Sequence, residues 1–305
     1  MADNIPRAYV STLPAGELLS GTVYLSPGIL IRRRSILIGL GIVALFILAA
    51  VAAPLLTPHD PAAIDAARRL EGSSFQHPLG TDNLGRDLLS RLLYGSRWSL
   101  GTVAVATALI MSIGVTVGVV AGFFGGIIDK LLMRVVDVLL AVPSLLLALA
   151  IAGTLGPGSR NVMAAMVFVW WASYARVVRG LVLALRERRF IEAARSLGAS
   201  ERYMVLRHIL PNVISPVIVL ATVEMGELIL ALSGLSFLGL GAQPPTPEWG
   251  SMLNDGRPFF LTAPQLMIYP GLAISLLVIG FNVLGDGLRD ELDPRLRPYG
   301  GVRRR

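Results

Sequence analysis

Two carboxylates, Glu224 and Glu227, stand three residues apart inside a long apolar run of the chain. At that spacing they share one helix face. Counted from Pro211 at about 1.5 Å per residue, they fall beyond the midplane of a bilayer. Carboxylates at such depth must face a polar cavity or a partner rather than lipid. Lining of a translocation path near a substrate's amino terminus fits them, and so does hydrogen bonding to neighbouring helices. A second acidic group, Asp286, Asp290, Glu291 and Asp293, has the composition of a magnesium site. It sits beside Arg289 with no second acidic cluster opposite, which argues against a membrane phosphotransferase. No G-x-x-x-x-G-K-[ST] loop is present, and the only lysine, Lys130, follows Asp129. The chain is therefore not expected to be an enzyme or to hold a cofactor. ATP and its magnesium would bind elsewhere, and His77 alone says nothing about metal.

The longest polar interruption of the carboxy-terminal two-thirds, Arg189 to Asn212, has the pattern of two short helices. Ala193, Ala194 and Leu197 form a small apolar edge flanked by Arg188, Arg189 and Arg195. Gly198 suits the left-handed residue that ends a helix, and Ser200 suits the cap of the next. Tyr203, Met204, Leu206 and Ile209 lead to Pro211, which fits the first turn of a following helix. Such a bend can dock in a partner's groove, because alanine and glycine permit close backbone approach. An ordinary basic loop between two spans would carry the same spacing.

The elements that must position these groups are membrane helices. Of 305 residues, 54% are hydrophobic and 15% charged, and the mean hydropathy is +0.66. Too little polar surface remains to cover such helices in water. Uncharged runs recur at 35–58, 98–128, 138–159, 161–175, 210–223 and 258–285, and about 20 apolar residues span a bilayer. The expected fold is an all-α integral membrane protein with six transmembrane helices. Arg32-Arg33-Arg34, the apolar run and Ala50-Val51-Ala52 together mimic a signal peptide, but the run continues to Leu56. Either outcome leaves the later helices in the same orientation.

Between the first two spans, Leu84, Leu88, Leu89, Leu92 and Leu93 recur at helical spacing with Arg86, Arg91 and Arg97 opposite. This predicts an amphipathic helix lying at the membrane interface. Gly114, Gly118, Gly122 and Gly126 make a small-residue stripe for close helix contact, within the chain or between subunits. Asp129, Lys130 and Arg134 mark a tight turn. Arg176 and Arg179 are placed to snorkel to the boundary, and Trp249 suits the interface. The +7 net charge is better explained by membrane topology than by nucleic acid, because the basic residues flank apolar spans.

Glu192-Ala193-Ala194, Gly198 and then Leu210-Pro211 resemble the EAA loop of binding-protein-dependent ABC importer permeases. That loop is the coupling helix on the ATPase subunit. The resemblance carries this role onto Glu192, Ala193, Ala194, Gly198, Ala199, Tyr203, Leu210 and Pro211. The broad pattern has an apolar residue where this chain has His208, although the H-I-L-P-N ending is similar to the peptide-transporting branch. H-P-L-G-T-D-x-x-G-R-D (77–87), the Leu235–Leu253 block and G-D-G-L-R-D-E-L-D-P-R-L (285–296) resemble the C-type subunit of dipeptide and oligopeptide permeases. The likeness covers about Ser35 to Arg297.

It implies a type I ABC importer permease fold, divided into a tail (1–34), a first helix with an extracytoplasmic segment (35–97), a five-helix core (98–290) and a second tail (291–305). The coupling loop would occupy 187–212. The implied partners are a B-type permease subunit, one or two cytoplasmic ABC ATPase subunits, an extracytoplasmic substrate-binding protein and a peptide. Relatives of this kind carry dipeptides, oligopeptides, nickel complexes or haem. A proton-coupled transporter using Glu224 and Glu227 is the rival that needs no ATPase.

Charge gives an independent orientation. Lys and Arg number four in the first tail, two near residue 130, eight from Arg176 to Arg207 and six after Leu288, against seven elsewhere. The positive-inside rule then places both termini and the bend in the cytoplasm, with 59–97, 156–160 and 242–262 outside.

Overall fold

The computed structural model describes residues 34–57 and 59–292. The expectations for the amino-terminal tail, for Asp293 and for the residues after it lie outside them. Among the described residues there is no strand, only an isolated bridge between Thr81 and Asp87. Helix α1 is Arg34–Leu56, α2 Leu88–Phe124, α3 Gly126–Leu140, α4 Ser144–Leu155 and α5 Ser159–Arg186. The short α6, Arg189–Ser196, follows. Helix α7 runs Glu201–Phe237, α8 is Trp249–Gly256, and α9 is Gln265–Leu292. Five of these are long and apolar enough to cross a membrane, and the bent pair α3–α4 brings the spans to as many as six.

The core is built on α2 and α5. An added Cβ would lie 2.6 Å from the Val178 Cβ at Gly118 and 2.8 Å from the Val182 Cβ at Gly122, and closer still to Tyr174 at Gly114. The glycine stripe is thus an intramolecular seam. Its fourth member, Gly126, opens α3 and faces empty space. Helix α9 carries α1 on one side and α7 on the other.

Several local expectations are corrected. The stretch from Leu88 to Arg97 is no separate interfacial helix, since it forms the first turns of α2. Asp87 caps α2 by accepting from the Ser90 N–H at 2.7 Å. Arg86 and Arg91 are 2% exposed and point inward, where Asp82 and Asp255 supply their carboxylates. A guanidinium is tolerated at such depth only when paired in this way.

The turn after α2 is made by Gly125, at φ 67°, so Asp129, Lys130 and Arg134 are already helical. Arg179 pairs with Asp129 and Arg176 with Asp137, which draws both arginines onto α3. The third apolar run breaks at Ala141–Pro143 into two helices bent by 87°. A proline disfavours helical geometry in the residue before it. Pro211 lies in the first turn of the regular α-helical part, Leu210–Phe237, but that part does not start afresh. Residues Met204–Ile209 form a π-helical stretch continuous with the span, and the Leu210 N–H reaches back five residues to the Val205 carbonyl. Trp249 does not present its ring to the surroundings: it is 1% exposed. Its Nε1 donates to the Leu92 carbonyl at 3.0 Å, and its ring meets Phe46 edge-on at 5.6 Å.

Candidate coupling bend and carboxylate pair

The bend at 189–212 begins on a buried anchor, Ile191, which is fully covered. Its helical period then turns Glu192 and Ala193 outward, while Ala194 is half-buried and packs on the core. Gly198 adopts φ 82°. Around it the Ala199 N–H bonds the Ala194 carbonyl at 3.0 Å and the Gly198 N–H bonds that of Arg195 at 3.0 Å. These are the two closures of a left-handed glycine cap. The Ser200 hydroxyl then accepts from the Tyr203 N–H at 3.3 Å and starts α7. Ala199 packs on the core. Leu197 is 88% exposed and Tyr203 52%, so the tip presents apolar surface rimmed by Arg195 and Arg202. Phe190 and Tyr203 flank the His208 ring at 6.1 and 5.4 Å, tying α6 to the base of α7. Leu210 is half-buried, and Pro211 is exposed on the outer side of the π stretch.

Glu224 and Glu227 lie further along the same helix and share a cavity of about 80 Å3. Its other walls come from α5, with Val169, Trp170 and Ser173, and from the α3–α4 break, with Leu140 and Ser144. The Trp170 Nε1 donates to Glu227 Oε1 at 3.2 Å. The Ser173 hydroxyl lies 3.4 Å from Glu224 Oε1. Glu224 is half-buried and Glu227 exposed. The two glutamates are legible in the sequence, whereas Trp170, Ser173, Ser144 and Tyr174 are not. The only signal was the Trp170-Trp171 pair in the fourth apolar run.

At the opposite end of the bundle the H-P-L-G-T-D-x-x-G-R-D segment folds into a polar knot. His59, His77 and Asp87 bring ligand-type atoms within 4.8 Å of one another. However, His77 Nδ1 is 2.9 Å from Asp87 Oδ1 and its Nε2 is 3.1 Å from Arg68 Nη1. Arginine can only donate, so Nε2 accepts and Nδ1 carries the proton. With both ring nitrogens engaged and a guanidinium against them, the trio is a hydrogen-bond network and not a cation pocket. Nearby, the wholly buried Glu248 caps α8 by accepting from the Gly250 and Ser251 N–H groups at 2.9 and 3.0 Å. Burial raises its carboxyl above the usual carboxylate range, and these N–H groups with the Ser236 and Ser99 hydroxyls only partly offset the rise.

Residues 114–298 match the family described as binding-protein-dependent transport system inner membrane component. The chain belongs to this family. Residues 29–78 also match the N-terminal transmembrane domain of oligopeptide transport permease C. This permease of an ABC importer is 46% identical over 268 residues to a dipeptide transport system permease protein of Alkalihalophilus pseudofirmus, covering 87% of this chain and 88% of the relative. It is 44% identical over 264 residues to a nickel transport system permease protein of Escherichia coli K12, with 87% and 95% covered. A glutathione transport system permease protein of Pectobacterium atrosepticum is 44% identical over 267 residues, with 87% and 89% covered. The type I permease fold expected from the sequence is thus the family to which the helical bundle belongs. The relatives' names span peptides and a metal, so the permease's cargo is not fixed by likeness alone.

Proposed function

We propose that this permease forms half of the translocation path for short peptides, paired with a B-type permease subunit. Its cargo would arrive from an extracytoplasmic binding protein, and one or two cytoplasmic ATPase subunits would drive the cycle. The observation that carries the coupling role is the exposed bend: Glu192, Ala193 and Leu197 face outward on a helix anchored by Ile191. A surface of small and apolar residues ringed by arginines suits docking in a groove of a partner protein.

Motion imposed on α6 passes through the Phe190–His208–Tyr203 contacts into the base of α7. That helix is continuous from Glu201 to Phe237. Glu224 lies 21 residues beyond Tyr203, about 30 Å along the axis. The bend and the carboxylates therefore share one lever, with the π stretch at its base. π-helical turns inside helices are frequently functional and are sites where helices bend. Rocking of paired helices about this base would alternate access to the path. On this reading both termini and the bend are cytoplasmic.

Peptide cargo is favoured over nickel by the chemistry of α7. The cavity offers carboxylates, hydroxyls and an indole, whereas nickel is better served by imidazole or thiolate. The chain has no cysteine and only three histidines, at positions 59, 77 and 208. Proteoliposomes holding the permease with its partner subunits and binding protein test the reading. ATP-dependent accumulation of labelled dialanine is expected. Accumulation of nickel without dialanine would overturn the peptide assignment, and ATP-independent, proton-driven uptake would overturn the ABC coupling.

A further inference from the structure

The carboxylate cavity contains more than two acids on one helix face. Tyr174 is wholly buried and sets its hydroxyl against the Glu224 carboxyl. Yet neither that hydroxyl nor Glu224 Oε2 completes a hydrogen bond. Buried polar atoms are nearly always satisfied. The Tyr174 O–H can itself donate to Glu224, so the acceptor capacity left over lies on the remaining carboxylate oxygens. No basic side chain lines the cavity. The nearest arginines along α5, Arg176 and Arg179, are held by Asp137 and Asp129. Two carboxylates thus face a small polar space without a counter-charge.

The geometry points to a protonated primary amine as the occupant: the α-ammonium of a peptide in transit, held between Glu224 and Glu227. This rests on the peptide reading above. An ammonium has three donors and no acceptor, which matches a site rich in acceptors. The Glu224 and Glu227 carboxylates and the hydroxyl oxygens of Ser173 and Ser144 line the space and are the groups available to accept from it. About 80 Å3 is room for two or three waters at about 30 Å3 each, so the ammonium and its first carbon fit and a whole dipeptide does not. The Trp170 indole, fixed by its bond to Glu227, adds an aromatic wall of the kind that favours organic cations. Nickel would find no imidazole or thiolate ligand there. Glu227, exposed at the mouth, would meet the amine first, and Glu224 would hold it.

The inference is tested on the assembled transporter in nanodiscs with dicyclohexylcarbodiimide, which modifies carboxyl groups in apolar surroundings. The adduct at Glu224 is read by peptide mass spectrometry. Millimolar dialanine should lower it at least threefold, and N-acetyl-dialanine should not. Equal protection by the two peptides, no protection by dialanine, or protection by nickel chloride alone would overturn the amine seat. If Glu224 resists the reagent, the Glu224→Gln, Glu227→Gln double variant decides. It should accumulate in the membrane normally and lose at least tenfold in dialanine uptake, and unchanged uptake would overturn the proposal. Failure here with wild-type dialanine uptake intact removes only the amine seat, whereas absent wild-type uptake removes the peptide reading itself.

Discussion

Arg86 and Asp255, 169 positions apart, meet at 3.5 Å, Nη2 to Oδ2. With Asp82 and Arg91 they form a four-membered ionic latch that joins the start of α2 and the segment before it to helix α8. Arg91 also donates to the carbonyls of Pro61 and Pro245, so three stretches distant in sequence converge on it.

The latch predicts an ordered pair of effects. Asp82 touches both arginines and is 7% exposed, whereas the Asp255 side chain is 31% exposed. Removing one partner of a buried pair costs about 3–5 kcal/mol. Asp82→Asn should therefore destabilise the purified permease by about 3 kcal/mol, and Asp255→Asn by clearly less. Thermal unfolding in detergent measures both. Equal effects would show that Asp82 is not the centre of the latch.

Glu248 gives a pH dependence. Burial raises its folded-state pKa, so folding favours the protonated carboxyl. Its contribution is fully present below the ordinary glutamate value of about 4.3 and is lost as pH rises through the folded value. Glu248→Gln removes that titration. The melting temperature of the wild type minus that of the variant should fall as pH rises above about 4.3. A constant or rising difference would contradict the burial of an ionisable cap.

Gly198 tests the bend. A Cβ there meets nothing within 4 Å, so the only internal cost of Gly198→Val is the left-handed backbone, about 1–2 kcal/mol. Because Gly198 is exposed at the tip of the bend, the variant should accumulate and pair normally. ATPase association and uptake should be lost. Glu192→Ala should act in the same direction but more mildly. Co-purification and uptake check both, and normal transport by Gly198→Val would remove the coupling role.

Orientation is checked with cysteines placed in this cysteine-free chain. Ser73, Thr262 and Ser196 are all exposed, while Ser251 is buried against Glu248 and is unsuitable. Ser73→Cys and Thr262→Cys should react with an impermeant maleimide in intact cells. Ser196→Cys should react only after permeabilisation. The reverse pattern would invert the assigned topology.

Apolar length and local turn chemistry were legible in the sequence. Runs of about 20 uncharged residues predict spans because lipid leaves the backbone no partners but its own. Gly198 and Ser200 predict the bend because left-handed φ and side-chain capping are local properties. The glutamate pair could be placed on one face by counting. What needed tertiary structure was the partner of each polar group. The amphipathic spacing of Arg86 and Arg91 reads as a surface stripe until Asp82 and Asp255 are brought to them. The same spacing places a guanidinium outside in one context and buried in another, and long-range pairing decides between them. Trp249 was read as interfacial from its type, but Gly95 leaves room for its ring. Pro211 marks a helix start by local rules, yet the π stretch carries the helix through it. The cavity at Glu224 is assembled from α7, α5 and the α3–α4 break, residues as far apart as 140 and 227. A helix face can be counted along the chain, but an enclosed space exists only once other helices have closed it.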